Sequence, residues 1–259
     1  NPKRPWRTIP NGDPTEVAAW NKWLEKRYGS VRELADAWDA TPEELGSFGR
    51  IPLPAPEDLE LRRYGSARQA RAIDYNLFAQ DAFNHWASEM ISAIRSTGNK
   101  QLIIVGQDEG GVTNRLLNQF YGSSGVDFTV NHTWWQDDAL LWGSVVAKRP
   151  DLPNLIGETG VQPVWRMDGA WRWDEVTSLG LLERKLALGF AAANSGALQW
   201  DWGRGDTFGM KRSDGSNKWW VDMLGAIGEF ARKTAPWLGQ ARRPEVAILL
   251  PQSLQLSVF

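Results

Sequence analysis

The chain has no cysteine, which removes disulfides and thiolate metal sites from consideration and leaves the compartment open. It has only 2 His, and they show no recognisable ligand spacing, so no metal site is expected. Excess charge of either sign is missing too. A formal net charge of -2 gives no electrostatic grip on nucleic acid or on a membrane surface. No apolar run approaches membrane-spanning length. A dinucleotide fingerprint is also lacking. Gly106-Gln107-Asp108-Glu109-Gly110-Gly111 does not have the required spacing, and no cofactor is called for. The sequence opens on Asn1 without a Met or a signal-like segment, as expected of a processed or excised piece.

Tryptophan is what the chain has in excess, with 16 Trp against 4 Tyr. Indole is costly to bury without a partner for its N–H, and it concentrates in binding sites. Its flat face also matches the apolar C–H faces of sugar rings. Some of these residues must be plain core, so the count leans towards carbohydrate without deciding for it.

The first third reads as helical. Asp13 is an N-cap with Pro14 at the first helical position, and Val17, Trp20, Trp23 and Leu24 follow at helical spacing until Tyr28-Gly29 closes the segment. Ser30 opens a second helix, Val31 to Trp38, with Glu33 completing a capping box, and Thr41 to Leu45 is a further capped turn. Ile51 to Pro56 has proline at every second position and cannot be helix. A long helix is expected from Ala67 to Ser96, with Phe78, Ala82, Trp86, Met90 and Ile94 recurring every four residues. His85 on this helix reads as interfacial.

After Gly98 the pattern changes to alternating strands and helices. Four apolar runs read as strands: Leu102 to Val105, Val126 to Val130, Leu155-Ile156 and Ala197 to Trp200. Helices are expected over 114–120, up to Ala147, from Asp174 to Ala193 and from Lys218 to Lys233, with Pro236 to Gly239 ending the last unit. A further strand starts at Val246. Such alternation implies an α/β fold with a parallel sheet and right-handed crossovers. A (β/α)8 TIM barrel fits better than an open doubly wound sheet, because chemistry-bearing residues leave every strand end rather than one switch point.

Those strand ends carry the candidate site. Glu158, in Gly157-Glu158-Thr159-Gly160, stands where a buried strand gives way to a loop, and it is the candidate nucleophile. Asp108 and Glu109 offer a second carboxyl group. Asn131 and His132 offer donors for sugar hydroxyls. Trp200 and Trp134 are candidate stacking platforms, with Trp202 beside them, whereas Trp219 and Trp220 read as core.

The run Trp23 to Leu34 followed by Ala37-Trp38 resembles the segment after the fourth barrel strand in family 42 β-galactosidases and related clan A glycoside hydrolases. Gly157-Glu158-Thr159-Gly160 resembles the seventh-strand nucleophile motif of that clan. Gly196 to Trp202 resembles its eighth strand, and Val246 to Leu249 the entry to the α/β domain beyond the barrel. The resemblance implies that residues 1–240 are the C-terminal part of a barrel, about strands five to eight. Residues 1–66 would then be a helical and loop insertion after strand four, and 241–259 would begin a following domain. It implies a retaining β-glycosidase with a glycosyl-enzyme intermediate on Glu158 and a carbohydrate substrate. The acid/base Glu would come from upstream residues or from a second chain carrying the missing barrel half, and self-association is the third way to close the sheet. A carbohydrate-binding barrel relative without turnover is the alternative, and a proton-abstracting barrel enzyme comes third.

Overall fold

A computed structural model describes residues 10–55, 58, 67–106, 124–131, 151–160, 173–205 and 209–238. These fall into two compact units, one from the described residues up to Trp86 and one from those beyond it.

The first unit is helical, and its boundaries follow local chemistry. Helix α1 (Pro14–Tyr28) starts at Asp13, whose carboxylate accepts from the Glu16 N–H, and stops at Gly29 with φ +74°, a conformation that costs glycine little. Helix α2 (Val31–Trp38) is capped by the Ser30 hydroxyl. Helix α3 (Pro42–Leu45) has the reciprocal capping box, with the Thr41 side chain on the Glu44 N–H and the Glu44 carboxylate on the Thr41 N–H. Helix α4 (Ala67–Ser96) matches its expected bounds. Its residues through Trp86 belong to this unit.

An aromatic cluster fills the core. Trp20 is fully buried, stacked on Trp23 and Trp38 and met edge-on by Tyr75 and Phe78. Its indole N–H donates to the Pro52 carbonyl at 3.3 Å. Two buried polar side chains fasten the surround. Asn21 accepts from the N–H groups of Gly49 and Ile51 and donates to the carbonyls of Val17 and Ile51. Asp74 accepts from the Tyr28 hydroxyl at 2.6 Å and the Trp38 indole at 2.7 Å, with the Arg27 guanidinium at 3.3 Å. Apart from Val17, one turn back on α1, these partners lie on other elements, so each side chain ties the backbone across distance.

The expected stripe along α4 departs from this core. Tyr75 and Phe78 are buried, but Trp86, Met90 and Ile94 are exposed, while Ala87 and Ile91 are buried instead. The change falls where the helix passes from one unit to the other, between Trp86 and Ala87: at about 100° per residue Ala87 and Ile91 lie on roughly the opposite side of the helix from Phe78, so one continuous four-residue stripe does not describe both halves.

The second unit holds a three-stranded parallel sheet in the order β1 (Thr129–Asn131), β2 (Asn154–Thr159), β3 (Gly196–Gln199). Helix α5 (Glu175–Ala191), capped by Asp174, connects β2 to β3, and helix α6 (Trp220–Leu238) follows β3. Leu182, Leu186 and Trp220 form the buried contact between the two helices, as expected for Trp220. A buried hydrogen-bond chain joins the amino ends of the strands. The Thr129 hydroxyl donates to Asn154 Oδ1, and Asn154 Nδ2 donates to Asn194 Oδ1, both at 2.8 Å.

Three expectations need correction. Leu102 to Val105 is not a strand: the Ile103 N–H is taken by the Asp127 carboxylate and its carbonyl by the Asp127 N–H, so this stretch bonds to a turn rather than to a ladder. Arg95, at the end of α4, holds the same Asp127 carboxylate at 2.6 Å. The strand expected over Val126 to Val130 shortens to β1 for the same reason, because Asp127 is occupied in that turn. Helix α6 does not stop before Pro236 but runs through it to Leu238. Strand–helix alternation therefore holds for β2–α5–β3–α6, while the helices expected over 114–120 and up to Ala147, and the strand from Val246, lie outside the described residues. Among the described residues no helix is long and apolar enough to cross a membrane.

Candidate active site

The site is best built from β2, the middle strand. Its first half alternates regularly. Ile156 faces α5, where Gly189 lets it approach so closely that a Cβ there would collide with the Ile156 side chain. Gly157 faces the other way and packs under Leu198 of β3. Strict alternation would next give the α5-facing place to residue 158.

The register says otherwise. Gly157 pairs with Leu198, but the next partner of β3, Gln199, pairs with Thr159. Two residues of β2 thus stand against one step of β3, and Glu158 is the extra one. This is a β-bulge, a device that re-aims side chains and recurs next to active sites. Beyond it the ladder resumes, with the Trp200 N–H donating to the Thr159 carbonyl at 2.7 Å. Thr159 has taken the place towards α5: its hydroxyl accepts from the Lys185 ammonium at 3.0 Å, and both residues are fully buried. The backbone of Glu158 is described; its side chain is not.

The parallel sheet brings three of the named candidates to one end. Asn131 ends β1, Glu158 lies at the end of β2, and Trp200 follows β3. Trp200 is 46% exposed and its carbonyl accepts from the Gln199 amide; a cis peptide bond joins it to Asp201. Trp202 is 68% exposed, with the Lys211 ammonium 4.8 Å from its ring centroid. Asp201 turns the chain between the two indoles, its carboxylate accepting from the Gly203 N–H. The side chain of Asn131, and Asp108, Glu109, His132 and Trp134 as a whole, lie outside the described residues. Among the described residues no cluster of His, Asp or Glu could hold a metal ion.

Sequence reasoning missed two residues here. Thr159 enters the sequence reading only as part of the Gly157-Glu158-Thr159-Gly160 motif, and Lys185 does not enter it at all. A signal existed for Lys185. It sits at helical spacing between Leu182 and Gly189, on the face of α5 that meets the sheet, where an apolar residue is the rule. An apolar groove between α5 and α6, reaching Asn194, Ser195 and Gly196, opens at the amino end of β3, away from these candidates.

Comparison with known proteins places this arrangement. The family 42 glycoside hydrolase model, described as β-galactosidase, matches residues 13–168. The β-galactosidase BgaH of Haloferax lucentense is 25% identical over 139 residues, which is 53% of this chain and 19% of that protein. A β-galactosidase from the psychrophilic Marinomonas ef1 superposes with a TM-score of 0.64 at 15% identity, over 86% of this chain and 37% of the other. The polyextremophilic β-galactosidase of the Antarctic haloarchaeon Halorubrum lacusprofundi gives 0.63 at 17% identity, over 84% and 35%. At these identities the structural likeness speaks for the fold alone; the neighbours are TIM-barrel enzymes, and the described residues here hold a three-stranded parallel part of a sheet. The chain spans well under half the length of each relative. Since the matched stretch runs from the cap of α1 through Glu158 and covers more than half of the sequence, the chain belongs to glycoside hydrolase family 42.

Proposed function

We propose that this chain supplies about strands five to eight of a (β/α)8 barrel in a retaining β-galactosidase, with Glu158 as the nucleophile. The observation that carries the reading is the bulge. It sets Glu158 apart from the ladder at the carboxyl end of the middle strand, the end at which barrels of this kind hold their chemistry. The carboxylate attacks the anomeric carbon and the leaving group departs with a proton. Water then releases the sugar from the glycosyl ester, with the acid/base residue acting in reverse. The acid/base Glu comes from the barrel half that carries strands one to four, from upstream residues or a second chain, and its carboxyl stands roughly 5 Å from that of Glu158. Trp200 forms the apolar floor under the sugar, its exposed indole at the end of the neighbouring strand. The galactoside preference rests on what the relatives are named for.

The test is Glu158→Gln in the assembled enzyme, with hydrolysis of an activated aryl β-galactoside, the melting temperature and rapid-quench mass spectrometry read together. Turnover should fall by at least about 10⁴-fold with folding intact, since the nucleophile is lost at nearly constant volume. In the parent enzyme the adduct should map to the peptide containing Glu158. Near-normal turnover in the variant would remove Glu158 from the role. Sugar binding without any turnover by the parent enzyme would favour the binding relative instead.

A further inference from the structure

The buried Lys185 has a task that the proposed reaction does not yet use. Its side chain lies on the sheet-facing side of α5 and is 2% exposed, on the helix that also carries the buried Leu182 and Leu186. An ammonium in such a place is costly to desolvate and persists where it is compensated. Its Nζ donates to the Thr159 hydroxyl at 3.0 Å. Thr159 is the residue that closes the bulge, for it takes the register with Gln199, and its carbonyl receives the Trp200 N–H. The lysine thus grips β2 one residue beyond Glu158, at the point where the alternation is reset.

We propose that Lys185 is a positioning residue for the nucleophile: acting through Thr159, it fixes the bulge that presents Glu158. This rests on the reading of Glu158 as nucleophile. The fixed hydroxyl prevents the strand from returning to regular alternation, which would give the α5-facing place back to residue 158. The other described charged groups on the surrounding elements are Asp201, engaged with the Gly203 N–H, Glu183 and Arg184 on the exposed side of α5, and Asp222, Glu229, Arg232 and Lys233 on α6.

Four variants of the assembled enzyme test this: Lys185→Met, Thr159→Val, Thr159→Ser and Glu158→Gln. The Glu158 carboxyl is followed by carbon-13 NMR, with Glu158→Gln assigning its resonance, alongside kcat and KM. Lys185→Met and Thr159→Val should each lower kcat about a hundredfold with KM within about twofold, the effect of a misplaced reacting group. Thr159→Ser keeps the hydroxyl and should retain kcat. In Lys185→Met and Thr159→Val the Glu158 carboxyl resonance should move from its place in the parent, and in Thr159→Ser it should not. The inference is overturned if Lys185→Met and Thr159→Val change only the melting temperature, with kcat and the Glu158 resonance as in the parent. An inactive Glu158→Gln beside that result leaves the nucleophile standing without its positioning residue. An active Glu158→Gln overturns the nucleophile itself.

Discussion

In the helical unit the chain closes over a cluster of its own aromatics, whereas at the strand ends of the β/α unit it leaves them open. Trp20, Trp38, Tyr75 and Phe78 are buried against one another, while Leu198, Trp200 and Trp202, on or just after β3, remain exposed. The same residue type therefore has two fates in one sequence. In the first case the indole N–H finds a carbonyl or a carboxylate, Pro52 for Trp20 and Asp74 for Trp38. In the second the ring is offered to whatever approaches the strand ends. A tryptophan count alone cannot separate these, which is why the excess gave only a lean towards carbohydrate.

The largest effect that would sharpen this contrast is a pair of truncations. Trp20→Ala should destabilise the helical unit by about 3–5 kcal/mol, because a fully packed aromatic leaves a cavity among four other rings. Trp200→Ala should change stability by less than about 0.5 kcal/mol, since its ring is half exposed. In the assembled enzyme the latter should weaken galactoside binding measurably by calorimetry. Urea unfolding followed by segment-resolved hydrogen exchange separates the two units. Equal losses from both variants would break the contrast.

What was legible in the sequence follows the same division. Helices α1 to α3 were readable because their ends are set by local chemistry: Asp13, Ser30 and Thr41 cap them, and Gly29 ends the first. Strand ends depend on partners far along the chain. Leu102 to Val105 has the composition of a strand, but the Asp127 side chain takes its backbone, and no pattern within the run reports that. The place of Glu158 at a strand end was readable. The bulge was not, because it is a relation between β2 and β3 rather than a property of either. The lysine under it was visible only as a polar residue on an apolar helix face, which gains meaning once Thr159 is seen against it.

A smaller effect probes the polar fastening of the helical core. Asp74→Ala removes the acceptor from the Tyr28 hydroxyl and from the buried Trp38 indole, and leaves Arg27 without its carboxylate. The cost should be about 2–3 kcal/mol, mostly from the stranded donor. Asp74→Asn keeps one acceptor oxygen and should lose about half as much. Denaturant midpoints at constant slope measure both. An Asn variant as damaged as the Ala variant would mean that charge, not acceptance, is what the site requires.

The smallest effect concerns pH, and it separates the units by sign. Burial, and then the hydrogen bond to Asp74, push the Tyr28 hydroxyl from its usual 10.0 up to about 12. Burial, and then the bond to Glu16, push Tyr75 up as well. A group raised on folding contributes stability that is fully present below its unfolded value and is lost as pH rises through the folded one. The helical unit should therefore weaken between about pH 10 and 12. In the β/α unit the shifted groups run the other way. Asp174 is lowered by the Thr177 N–H, Asp214 by Ser216, and Glu229 by Arg232 and Lys233. Their contribution is present above the usual carboxylate range and is lost as pH falls through the lowered values, and full exposure keeps it small. Acid thus touches both units, because Asp13 is lowered too by the Glu16 N–H, whereas alkali selects the helical one. Melting temperatures at pH 9 and pH 11 check this in the parent and in Tyr28→Phe/Tyr75→Phe. The drop between the two pH values should shrink in the double variant, which has no hydroxyl to ionise at either place. It should persist in Asp174→Asn. A drop of equal size in the double variant would place the alkaline weakness outside the helical core.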